Sequence, residues 1–186
     1  MTQAPTLRTP RLVLEPLRMD HAAGLWAAVD SSRAPLREWM DWAQDPQPSD
    51  TPAFIGDALP RMAAGNEDHF TILHEGVEAG VVSLVPLKPA YRSREIGYWM
   101  RADLHGKGLM TEAAAHVIRC GFETRELHRI ELHAALGNFP SIKIAEKLGF
   151  NRRGILRDAS KAAAGWLDVY VYDLLETDER LWEGYL

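Results

Sequence analysis

Between Leu104 and Ala113 the sequence reads LHGKGLMTEA, with Gly106 and Gly108 one residue apart in front of a segment rich in alanine. Glycine accepts the left-handed backbone of a tight turn and lets main chain come close to a ligand. A helix that begins there adds unpaired amides and a partial positive charge, so the combination makes a cradle for a phosphate or pyrophosphate. The same glycine turn also suits a nucleotide-binding fold or a plain tight turn. The run lacks a Gly-Lys-Ser/Thr ending and a full Gly-x-Gly-x-x-Gly, which counts against a nucleotide-binding interaction module. Further along, Asn138 and Ser141 stand three apart at the start of NFPSIKIAEKLGF and would share a face of a helix's first turn. Asn138 there is equally a strong N-cap.

These residues need a scaffold, and apolar periodicity outlines one. Arg11 to Glu15 alternates as a strand stopped by Pro16, and Asp20 is placed to cap a helix from His21 to Val29. Pro35 to Gln44 reads as a short helix or lid, Asp45 to Asp50 as a loop, and Thr51 to Ala64 as a helix. Strands follow at Phe70 to Leu73, Ala79 to Val85 and Glu95 to Met100, the first two joined by a turn at Glu75 and Gly76. Gly108 to Arg125 has helical spacing and should cross over the sheet. Arg129 to Ala134 alternates as the next strand, Asn138 to Leu148 forms a helix with Gly149 as its left-handed cap, and Arg153 to Leu156 with Trp166 to Leu175 makes a terminal hairpin. The order predicts one α/β domain over residues 1–186 with a mixed sheet.

The chain has 186 residues, 46% of them hydrophobic and 25% charged, which suits a single core. No apolar run approaches the roughly 20 residues that span a bilayer, and the N-terminus has no secretory pattern, so the expected address is cytoplasmic. Cys120 is the single cysteine and cannot form an internal disulfide. The net charge of −5 offers no global attraction to nucleic acid, although it is compatible with a local basic patch. His69, His74, His116, His128 and His133 lack the spacing of a metal site, and no metal is expected.

With these segments in view, the chain resembles the GNAT N-acetyltransferase superfamily, in its RimJ/RimL-like branch. His105, Gly106, Lys107, Gly108, Leu109 and Met110 occupy the family's Arg/Gln-x-x-Gly-x-Gly/Ala acyl-CoA loop, with His105 and Met110 departing from it. LRTPRLVLEPL, EIGYWM and NFPSIKIAEKLGF agree with the same family. The resemblance implies a central, twisted, mostly antiparallel sheet with flanking helices and a splayed strand pair that holds CoA. It implies acetyl-CoA as donor substrate, bound by Tyr98, Trp99, Met100, His105 to Thr111, Asn138 and Ser141. A backbone amide near Trp99 or Met100 would polarise the thioester.

The resemblance further implies that Glu95 is the general base and that Ser141 protonates the departing thiolate. The alternatives are a salt bridge from Glu95 to Arg92 or Arg94, and a plain surface serine. Asp158 and Asp168 compete as the base. Trp39 and Trp42 are either core or an aromatic wall for the acceptor. Arg152, Arg153 and Arg157 either meet CoA phosphates or are solvated, and Cys120 leans toward structure. At pH 7 the neutral form costs roughly 1 kcal/mol for an α-amine and about 4.6 kcal/mol for a lysine.

The implied reaction is direct transfer of acetyl to a primary amine in a ternary complex, with a protein N-terminus as the acceptor. The alternatives are a small amine, polyamine, amino acid or antibiotic, or an acyl-CoA sensor without turnover. A homodimer through an exposed hairpin carrying Val169 and Val171 is a further expectation.

Overall fold

The computed structural model describes residues 4–186. Eight strands form one sheet in the order β1-β2-β3-β4-β5-β6-β8-β7. They are β1 (Leu7–Arg8), β2 (Leu12–Pro16), β3 (Asp68–His74), β4 (Val77–Lys88), β5 (Ser93–Met100), β6 (Arg129–Ala135), β7 (Asn151–Ala162) and β8 (Gly165–Leu175). Every pairing is antiparallel except β5 with β6. A parallel pair needs a long crossover. Helix α4 (Leu109–Arg119) and the π turn Cys120–Thr124 supply it.

Helices α1 (Ala22–Asp30), α2 (Arg33–Trp39) and α3 (Asp50–Ala63) cover one face of the sheet, where Leu17, Leu25, Ile55 and Val81 cluster. The other face carries the main core under α4 and α5 (Phe139–Lys147). Because side chains alternate along a strand, Glu95, Gly97 and Trp99 face the α1–α3 side, whereas Ile96, Tyr98 and Met100 face α4 and α5.

All residues of α4 from Leu109 to Ile118 are buried. Its run of alanines lets the backbone pack close to the sheet. Gly121 continues this approach, since a Cβ there would lie 2.9 Å from Ile130 Cδ1. Such all-round burial leaves helix α4 little freedom to shift, which fixes where its N-terminal loop points.

Most expected elements are found within a few residues of their predicted bounds, although β7 runs on to Ala162, six residues past the expected end, and the segments expected over Pro35 to Gln44 and Gly108 to Arg125 each divide into a helix and a second turn; the mixed, mostly antiparallel sheet is as the resemblance implies. Glu75 and Gly76 both have positive φ, 54° and 78°, as a tight hairpin turn requires. Gly149 caps α5 at φ 84°.

Three expectations are corrected. Asp20 caps no helix: a 3-10 turn over Met19–His21 precedes α1, and the Asp20 carboxylate takes the Arg18 guanidinium instead, at 3.1 Å. A short strand, β1, goes unpredicted because its two residues carry no periodicity. Val169 and Val171 do not lie on an exposed strand, since β8 is enclosed between β6 and β7 and Val169 is buried. The sheet edge is β7.

Candidate active site

Strands β5 and β6 are in register only from Ser93–Arg129 to Glu95–Glu131. Beyond that rung they diverge and leave an open wedge. The Arg101 N–H donates to the Ala79 carbonyl at 2.7 Å, which sets the phase of the β4–β5 ladder. Alternation along an antiparallel pair then turns the main-chain groups of Ile96, Tyr98 and Met100 away from β4, into the wedge. Upstream, Arg92 obeys the same phase, its carbonyl accepting from His128 N–H at 2.9 Å. The Met100 carbonyl is already taken by His105 Nε2 at 2.8 Å, so the His105 ring is turned to the strand and its loop offers a ligand main chain.

Below the wedge, Gly106 and Gly108 have φ of 75° and 77°, and nothing lies within 4 Å of a Cβ built on Gly106. A side chain at either glycine would strain the turn, and at Gly106 it would also occupy the cradle. Leu109, Met110 and Thr111 bury their side chains, leaving their first-turn amides as the exposed chemistry. Lys107 is exposed. The donor set, main-chain N–H at a helix N-terminus, fits the pyrophosphate of a CoA.

Arg11 braces this loop, a role with no sequence signal. Its Nη1 donates to the Lys107 carbonyl at 2.9 Å, and its Nε and Nη2 hold Glu112 Oε2 at 2.7 and 2.6 Å. Burial would raise the Glu112 carboxyl, but hydrogen bonds from Thr9 and Arg11 outweigh it and hold the group below its ordinary value.

On the α4–α5 face of the wedge, the Tyr98 hydroxyl lies 2.9 Å from Ser141 Oγ. Burial pushes the Tyr98 phenol up, against the pull of that hydrogen bond, so it keeps its proton. Asn138 Oδ1 accepts the Ser141 N–H at 3.2 Å, so Asn138 caps α5 and fixes the turn that carries Ser141.

On the opposite face, Glu95 stands at the apex. It pairs with neither Arg92 nor Arg94: Arg94 binds Asp68 at 2.6 Å, and Arg92 holds the Glu126 carbonyl at 2.7 Å and Glu176 at 3.3 Å. Its neighbour is His133, whose Nδ1 is 3.6 Å from Glu95 Oε2 and whose Nε2 is 3.4 Å from Glu131 Oε2. Burial is the largest influence on Glu95 and raises its carboxyl; His133 opposes this and Glu131 adds to it. Sequence reasoning considers His133 only as a metal ligand. The usable signal is Glu131-x-His133, which a strand puts on one face.

Gly97 lies beside Glu95 on this face, exposed, with nothing within 4 Å of its Cβ position. Beyond it Trp99 meets Trp42, ring centroids 5.8 Å apart. Trp42 is half exposed, at 49%. Trp39 goes elsewhere, against Gly137, and lines a cleft of about 530 Å³ with Ala135, Trp166, Leu167 and Asp168. The two tryptophans thus flank the mouth of the wedge rather than forming one wall.

Asp168 accepts the Asp158 N–H at 3.0 Å and ties the β7–β8 arm together, away from the β5–β6 apex. Arg152 lies over the Tyr170 ring at 4.9 Å and Arg153 is 3.6 Å from Asp173, while Arg157 is exposed. Cys120 is buried in the core, and burial pushes its thiol up.

Residues 11–151 match the family described as Acetyltransferase (GNAT) domain. YdaF of Bacillus subtilis (strain 168), provisionally named a ribosomal N-acetyltransferase, is 33% identical over 174 residues, 92% of each chain. The ribosomal-protein-serine acetyltransferase of Escherichia coli (strain K12) is 25% identical across 87% of this chain and 90% of its own. Among solved structures, Mycobacterium smegmatis RimJ in complex with CoA-disulfide superposes with a TM-score of 0.85 at 25% identity, covering 98% of this chain and 92% of that one. RimL, a ribosomal L7/L12 alpha-N-protein acetyltransferase in complex with coenzyme A, gives a TM-score of 0.86 at 21% identity, over 95% of this chain and all of the other. The wedge between β5 and β6, the glycine loop at the start of α4 and these likenesses converge: the chain belongs to the GNAT acetyltransferase family, in its RimJ/RimL-like branch.

Proposed function

We propose that this protein transfers acetyl from acetyl-CoA directly to the N-terminal α-amine of a protein. The observation that carries the proposal is the wedge after Glu95–Glu131, with a carboxylate on one face and a hydroxyl pair on the other. Two reactants entering from opposite faces would meet in that gap, with no need of a covalent enzyme intermediate. The names of YdaF and the ribosomal-protein-serine enzyme support a protein N-terminus as acceptor.

Acetyl-CoA supplies the activated thioester. Main-chain amides from Gly106 to Thr111 hold its phosphates, the His105 N–H being given to the Ala102 carbonyl, and the wedge-facing groups of Tyr98 and Met100 bind its pantetheine arm. The Met100 or Tyr98 amide hydrogen-bonds the oxyanion that develops on attack. Glu95, raised by burial, takes a proton from the amine. Ser141 gives its proton to the departing sulfur while Tyr98 donates to Ser141 Oγ, a chain in which each bond strengthens the next.

A second reading, a polyamine acceptor, has one observation in its favour. The spermidine N(1)-acetyltransferase of Escherichia coli (strain K12) is 27% identical over 84% of this chain. Calorimetric titration with acetyl-CoA, followed by thiol release on adding free-N-terminus peptides or polyamines, separates the readings. Release on peptides supports the proposal, release on spermidine alone replaces it, and the absence of acetyl-CoA binding refutes both.

A further inference from the structure

An acceptor that arrives as an ammonium must lose two protons to become an amide. One is balanced by the thiol that forms, and the other must reach solvent. Glu95 is a single carboxylate. The same sheet face carries a second acid–base system that the proposed reaction does not yet use.

Ser83 of β4 is the cross-strand partner of Gly97, so the two share the sheet face on which Gly97 is exposed and Glu95 stands. Its Oγ lies 2.6 Å from His69 Nδ1, and His69 Nε2 lies 2.9 Å from Glu67 Oε1. Glu67 in turn holds Arg61 Nε at 2.8 Å. Ser83, His69 and Glu67 are all buried, at 9%, 4% and 5% exposure, whereas the Arg61 side chain at the end of α3 is 50% exposed. The chain therefore runs from the sheet face beside Gly97, beneath α3, to the protein surface.

Its polarity is fixed by what each atom can do. A carboxylate bound to Arg61 only accepts, so His69 Nε2 must carry a hydrogen. Burial lowers the His69 pKa, more than Glu67 restores it, which keeps the ring neutral at pH 7. Nδ1 is then an acceptor and the Ser83 hydroxyl must donate to it. The Ser83 oxygen is left with lone pairs free for a donor in the groove.

We propose that Ser83, His69 and Glu67 form a proton relay that neutralises an ammonium acceptor before attack. An N–H bond of the ammonium breaks as its proton passes, directly or through one water, to Ser83 Oγ. The Ser83 proton moves to His69 Nδ1, leaving a neutral amine, an intact hydroxyl and an imidazolium against Glu67. The imidazolium then releases its Nε2 proton by way of Glu67 toward solvent; after product leaves, Nδ1 returns its proton through Ser83 Oγ to water in the site as Nε2 is reprotonated from solvent by way of Glu67, which restores the starting tautomer. Glu95 is left to take the proton shed after attack.

The groups facing His69 are Ser83 from β4, Arg61 and the edge-on Phe54 ring from α3, and Glu67 and Asp68 beside it in the chain. Next to it on β3, Thr71 binds His21, which reaches Glu15 of β2.

The inference rests on the acetyltransferase reading, and its test keeps the two apart. Ser83→Ala should lower kcat/KM for a peptide acceptor about tenfold or more at pH 7. The loss should fade to within about twofold near pH 9.5, where an α-amine of pKa about 8 arrives neutral. Ser83→Thr should restore the rate at pH 7, and acetyl-CoA binding should not change. A deficit equal at every pH, or none, overturns the relay. Imidazole nitrogen NMR of the wild type tests the relay independently of turnover: hydrogen on His69 Nε2 at pH 7, with Nδ1 shifting in Ser83→Ala, is expected. Hydrogen on Nδ1 overturns the proposal. A wild type that binds acetyl-CoA but acetylates no amine refutes the transferase reading instead.

Discussion

Glu95 and Glu131 face each other at the last rung of the one parallel pairing among the described residues, with the His133 ring between their carboxylates. Two carboxylates this close repel, and partial burial adds to the cost of charging both. Such a pair persists where charge is useful. Burial, with Glu131 adding to it and His133 opposing, raises the Glu95 carboxyl beside the wedge, the direction a general base working near neutral pH requires.

Glu95→Gln should therefore reduce kcat by roughly a hundredfold or more while leaving the acetyl-CoA Kd within about twofold. The Glu95 carboxyl is raised above its ordinary value of 4.5, so any stability linked to it is complete below that value and is lost as pH rises through the folded-state pKa. The Gln variant should melt no lower than the wild type at pH 8, and the acid limb of the wild-type kcat/KM profile should lie above 4.5. A profile flat down to that pH would remove Glu95 from the role.

Ser141 and Tyr98 touch, so their mutations should not add. Ser141→Ala and Tyr98→Phe are each expected to lower kcat, Ser141→Ala by about tenfold to a hundredfold. The double variant should fall little below Ser141→Ala alone, because Tyr98 acts through the serine hydroxyl. Single-turnover rates with saturating acetyl-CoA measure this coupling. Strictly additive losses would mean that Tyr98 serves a separate function, such as packing under the wedge.

Much of this site is legible in the sequence because its chemistry is local. The two glycines, the Asn138–Ser141 spacing and the alternation of Glu95 to Met100 are short-range patterns, and the elements they mark are present. What escapes is long-range. No periodicity connects Thr9 and Arg11 to Glu112, about a hundred residues away, or brings Trp39 to Gly137 while sending Trp42 to Trp99. The terminal hairpin reads as exposed because alternation reveals a strand's faces but not its neighbours in the sheet, and β8 is enclosed between β6 and β7. Asp20 fails as a cap for a different reason, since it lies inside the 3-10 turn Met19–His21 and His21 takes the position before α1.

The Arg11–Glu112 pair joins the first strand hairpin to the glycine loop before α4. Glu112 is buried and Arg11 is half exposed, so removing the guanidinium leaves a buried carboxylate with only Thr9 and the residue 11 amide as partners and frees the Lys107 carbonyl. Arg11→Ala should cost about 1 to 3 kcal/mol, or roughly 2 to 4 °C of Tm per kcal/mol in a chain of this size. The glycine turn would lose its external tie, and the acetyl-CoA Kd should rise about tenfold, or about 1.4 kcal/mol, with a smaller effect on kcat. Because Glu112 is held below its ordinary value of 4.5, the stability it contributes is present above that pH and is lost as pH falls through the lower, folded-state value. The Tm gap between wild type and Arg11→Ala should thus be full at pH 7 and close in strong acid. Arg11→Lys keeps the charge but not the two-armed grip, and should fall between them. If Arg11→Ala lowered Tm yet bound acetyl-CoA as tightly as the wild type, the brace would stabilise the fold without shaping the loop.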